Sequence, residues 1–223
     1  MISIIQTGIP FIDQILGAGG LLLASFASIV SVANPFSTMP VFTSMTEDNT
    51  DEQRTAIAKK ASMYMFIILS IFLLAGTYIQ SFFGISLAGI RVAGGLIILR
   101  SAWAMLTPDR NPKKITEEGE ESARQKGDIS FSPLAMPMLS GPGSIAVVLG
   151  LASSSGSVID FVVFIAAILL SAIVSYFILR IGPFSSKYIG PSGMNAITRL
   201  MGFIVMAIAV QFILSGIKDF FMI

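Results

Sequence analysis

Six apolar stretches, at about 19–45, 56–80, 85–106, 131–153, 158–181 and 194–217, limit what this chain can fold into more than any other feature. A bilayer core about 30 Å thick is crossed by roughly 20 helical residues, so each stretch is long enough to span it. A water-soluble surface would need charge, and charge is scarce. Charged residues make up 12% of the chain and apolar residues 54%, against roughly 25% charged in soluble domains. The sequence reads as an all-α integral membrane protein of about six transmembrane helices, surrounded by lipid bilayer.

The polar connections set the orientation. The loops after the first, third and fifth stretches hold Arg54, Lys59, Lys60, Arg100, Arg110, Lys113, Lys114, Arg124, Lys126, Arg180 and Lys187. The other side holds only Lys218. Because Lys and Arg collect on the cytoplasmic face, both termini are expected outside and the 107–130 linker in the cytoplasm. Residues 1–17 lack a basic n-region and cleavage site. They are expected to be a retained interfacial lead-in, with Asp13 at its solvated edge.

The chain repeats itself. Ala33-Asn34-Pro35-Phe36-Ser37-Thr38-Met39-Pro40 in the first stretch resembles Ala135-Met136-Pro137-Met138-Leu139-Ser140-Gly141-Pro142 in the fourth, each with prolines five apart. Arg91-Val92-Ala93-Gly94 in the third stands against Arg199-Leu200-Met201-Gly202 in the sixth. The prolines are 102 residues apart and the arginines 108. This divides the chain into a first three-helix repeat, 1–106, a charged linker, 107–130, and a second repeat, 131–223. Three spans is an odd number, so the second repeat enters from the opposite side and the two are inverted.

Proline inside a helix removes a donor and clashes with the preceding turn, at about 3 kcal/mol. In hydrocarbon the freed carbonyl must find another partner, so such breaks occur where backbone is buried in protein or lines a cavity. The first helix of each repeat is therefore expected to be broken at its proline motif. A break presents amides with partial positive charge at one end and carbonyls at the other. Those ends suit a zwitterion. The candidate binding residues are Asn34, Pro35, Phe36, Ser37, Thr38 and Pro40 in one motif, and Pro137, Ser140, Gly141, Pro142, Gly143 and Ser144 in the other. Arg91 and Arg199 either anchor their helices at the interface or act as gates. Gly94 and Gly95, with Gly89, read as a close-packing face. Asp160 reads as a solvated cap, and Gln211 as a partner in an interhelical structural bond.

The absent residues narrow the chemistry. With no His and no Cys, the commonest general base and the thiolate chemistries are missing. No enzyme activity, cofactor or metal is expected. A net charge of +1 offers no field to attract nucleic acid.

These motifs resemble the MarC family, also described as a neutral amino acid transporter family. The matching pieces are Ala33-Asn34-Pro35 with Pro40, Gly84-Ile85-Ser86, Arg91 to Gly95, Pro133-Leu134-Ala135-Met136-Pro137 with Ser140-Gly141-Pro142-Gly143, and Ile197 to Gly202. The resemblance implies six spans in the cytoplasmic (inner) membrane and transport of small neutral amino acids such as glycine, alanine and serine. The expected activity is that of a secondary transporter, an exporter or exchanger working by alternating access. A proton or sodium ion is the expected coupling partner, and a homo-oligomer is a further expectation. A passive channel for small solutes and a non-transporting scaffold are the alternatives.

Overall fold

The computed structural model describes residues 10–107 and 129–221. Residues 1–9 of the lead-in, 108–128 of the linker and the side chain of Asp13 lie outside the described residues. Eight helical segments follow one another: α1 (Pro10–Ala33), α2 (Pro35–Met45), α3 (Asp51–Phe83), α4 (Leu87–Leu106), α5 (Ser130–Leu139), α6 (Pro142–Ser154), α7 (Val158–Ser185) and α8 (Ser192–Phe221). Among the described residues there is no strand. Four helices, α3, α4, α7 and α8, are long and apolar enough to cross a membrane. The pairs α1–α2 and α5–α6 also qualify when each is taken as one span, bent by 41° and 60°. The fold thus has four candidate spans, or six with the bent pairs counted.

Local chemistry sets the helix ends. Thr50 and Gln53 form a reciprocal capping box at the start of α3, which satisfies two amides that would otherwise lack partners. Gly84, with φ 65°, closes α3, and the Ser86 side chain caps α4. The turn before α3 is held by Arg54, whose Nε donates to the Thr46 carbonyl at 2.8 Å and Nη2 to the Glu47 carbonyl at 2.7 Å. The connection expected at 182–193 is short: α7 and α8 are separated by a kink at Gly190, at φ 70° and ψ 171°. That region of backbone space is essentially restricted to glycine.

Large apolar side chains face outward as well as inward. On α3 the buried face carries Ala58, Ala61, Ser62, Met65, Leu69, Leu73 and Gly76, while Ile67, Ile71, Leu74 and Tyr78 are exposed. Only 22–39% of each long span's apolar window is buried, as expected when the surrounding solvent is hydrocarbon. Ser171 and Ser175 on α7 are fully buried. Their hydroxyls donate to the carbonyls four residues back, at 2.8 Å each.

Glycines bring α4 and α8 together. A Cβ built on Gly95 would lie 2.9 Å from the Ala209 carbonyl oxygen, and one on Gly216 would lie 2.8 Å from that of Ala88. Gly94 faces α6, where its Cβ would collide with that of Ala146. Gly89 meets only Ser86 and Ile85 of its own turn, so it does not belong to the packing face.

Candidate functional site

The first bend is built around Asn34. Its backbone is left-handed, at φ 42° and ψ 67°, a conformation that Asn tolerates better than most residues. Its amide closes α1 on the Val30 carbonyl at 3.0 Å. Its carbonyl accepts the Ser37 and Thr38 hydroxyls at 2.9 and 3.5 Å. Its side-chain oxygen caps the Ser37 amide at 3.3 Å, and Nδ2 contacts the Met105 sulfur at 3.4 Å. The polar groups of this motif are therefore largely satisfied within the bend. Pro35 occupies the first turn of α2, where its missing N–H costs nothing. Pro40 lies inside α2 and is exposed, and Phe36 is half-buried.

The second bend is less self-contained. α5 is wide-turned, with the Leu134 and Ser140 amides bonded five residues back to Ile129 and Ala135. Ser132 and Met136 are extended, and the peptide bonds that follow them, to Pro133 and Pro137, are cis. Gly141 is needed here, because a Cβ would collide with the Pro137 carbonyl oxygen. Pro142 opens α6, and no side chain caps that helix. The Ser144 hydroxyl donates to the Leu139 carbonyl at 3.1 Å. Ser140 is fully buried, and its hydroxyl has no hydrogen-bond partner.

The bends lie side by side. A Cβ on Gly143 would fall 3.1 Å from Val32, just before Asn34, and 2.9 Å from Ile98 of α4. From Pro142 to Ser154, α6 runs 13 residues, about 20 Å at 1.5 Å per residue. No charged residue occurs in either motif. Among the described residues, no group of three acidic, His or Cys side chains is placed to hold a metal.

The two arginines differ. Arg91 pairs with the carboxylate of Asp219 on α8, and its Nη2 donates to the Ser154 hydroxyl at 3.0 Å. Arg199 is exposed and makes no ion pair among the described residues. Asp219 was not singled out by the sequence, where it is one more polar residue at a helix end. Nearby, a groove of about 510 Å³ is lined by Thr77, Gln80, Ser81, Gly84, Ile85, Ser86, Leu87 and Ser153, away from both bends. Asp160 accepts from the Gly156 and Ser157 amides at 2.8 and 2.9 Å, as a cap does. Gln211 departs from the interhelical expectation: it is exposed and bonds Ser215 of its own helix at 3.3 Å.

Apolar helices with outward-facing hydrophobic side chains and two bent pairs define a polytopic integral membrane protein. The model of the MarC family of integral membrane proteins matches residues 20–221, and the chain belongs to that family. It is 35% identical over 201 residues to a UPF0056 membrane protein of Aquifex aeolicus, covering 90% of this chain and 94% of that one. It is 38% identical over 196 residues to a UPF0056 membrane protein of Methanocaldococcus jannaschii, covering 88% and 95%. The UPF0056 inner membrane protein MarC of Escherichia coli is 34% identical over 201 residues, covering 86% and 91%. No solved structure matches the chain significantly.

Proposed function

We propose that the chain is a secondary transporter of small neutral amino acids, working by alternating access, with its substrate held where the two bends meet. The observation that carries this reading is Ser140, a buried hydroxyl without a partner beside the uncapped start of α6. First-turn amides have no intrahelical acceptor, so those of Gly143 and Ser144 offer a carboxylate both hydrogen bonds and the positive end of the helix dipole. Carbonyls at the end of α1 suit an ammonium group. The absence of charged side chains in both motifs favours a ligand that carries both charges itself. The family resemblance points to glycine, alanine and serine.

The inverted repeat belongs to the same reading. Pro35 and Pro142 each open a helix after a bend and lie 107 residues apart, close to the 108 between Arg91 and Arg199. Placement in the inner membrane with both termini outside, coupling to protons or sodium, and a homo-oligomeric state complete the proposal.

The test is uptake and counterflow of labelled glycine and alanine in proteoliposomes under an imposed proton or sodium gradient. Saturable counterflow is expected for the parent chain. Ser140→Ala is expected to raise the half-saturating concentration roughly fivefold, the worth of one hydrogen bond of about 1 kcal/mol. Flux without counterflow would identify a channel instead, and no flux from well-folded protein would refute the substrate assignment.

A further inference from the structure

At the end of the bundle where α3 gives way to α4, polar bonds tie the first half of the chain to the second. Arg91 of α4 reaches Asp219 of α8 and Ser154 of α6. Gln80 of α3 donates to the Leu149 carbonyl at 3.4 Å and bonds the Ser153 hydroxyl, both on α6. Among the described residues, Arg91–Asp219 is the one ion pair that joins the halves. Its side chains are 24% and 39% exposed. The polar groove lined by Gln80, Ser81, Ser86 and Ser153 opens at the same end.

We infer that Asp219 is a gating residue: its ion pair with Arg91 latches this end of the path shut, and the groove is the mouth that the latch closes off from the bends. This rests on the alternating-access reading above. An arginine serving only as an interfacial anchor would extend into water and need no carboxylate. Here the guanidinium instead engages two helices of the opposite half. A partly exposed pair shifts an equilibrium a few-fold rather than by orders of magnitude, which suits a contact that must open and re-form in every cycle.

The chain has no Cys, so single cysteines report without background. Ser140→Cys would be treated with a membrane-impermeant maleimide in cells, with Ser81→Cys as the control that the reagent reaches the groove. With the latch intact, position 140 is expected to react slowly. Adding Asp219→Ala or Arg91→Ala should speed the reaction about threefold to fivefold. The exchange Arg91→Asp with Asp219→Arg should return it toward the parent rate. An unchanged rate in both single variants, with position 81 reactive and elution monodisperse, would overturn the latch. If labelling responds as expected but neither glycine nor alanine is transported, the latch stands and the substrate assignment falls.

Discussion

Gly95→Ala is expected to destabilise the fold strongly, because the added methyl group meets backbone that moves aside only if α8 shifts as a whole. Its Cβ would lie 2.6 Å from Ile213 Cγ1, 2.9 Å from the Ala209 carbonyl oxygen and 3.1 Å from the Ile213 amide nitrogen. Rotating the Ile213 side chain relieves only the first contact, so α8 itself must shift. Overpacking costs roughly 1–3 kcal/mol, and this case belongs at the upper end. Gly94→Ala makes the informative comparison. Its main obstacle is the Ala146 methyl group, with the Ala146 Cα farther off at 3.7 Å. Adding Ala146→Gly should therefore recover most of what Gly94→Ala loses, whereas no single side-chain change should rescue Gly95→Ala. Thermal unfolding in detergent would measure both.

Asn34 carries the second large effect. Asn34→Gly keeps the left-handed backbone and loses the cap, a cost of a few tenths of a kcal/mol. Asn34→Ala loses the cap, at about 1 kcal/mol, and strains the backbone by roughly 1–2 kcal/mol more. Asn34→Val adds a β-branched side chain at positive φ and should be worst. The expected order of unfolding temperatures is Asn, Gly, Ala, Val. Equal losses for Gly and Ala would show that the backbone conformation at 34 is not what matters.

The membrane class was legible in the sequence because it depends on composition and stretch length alone. The two proline motifs stood out in the sequence as well, but their internal geometry did not. Matching prolines suggested equivalent roles for Pro35 and Pro137, yet the residues that open helices after the bends are Pro35 and Pro142. The close approach of Gly141 to the Pro137 carbonyl is likewise a steric detail that spacing does not reveal. Ser37 and Thr38 looked available to a ligand, but both hydroxyls turn back to the Asn34 carbonyl. Asp219 lies 128 residues from Arg91 in the chain, and no local pattern links such distant residues.

The bonds from Arg54 to the Thr46 and Glu47 carbonyls have a mechanical consequence. They fasten the far end of α2 to the start of α3, while Asn34 marks the bend between its near end and α1. The short helix would therefore pass any tilt about the bend on to the start of α3. At 11 residues it is about 16 Å long, so a tilt of roughly 10° would displace its tip by about 3 Å. That is about the width of a water molecule.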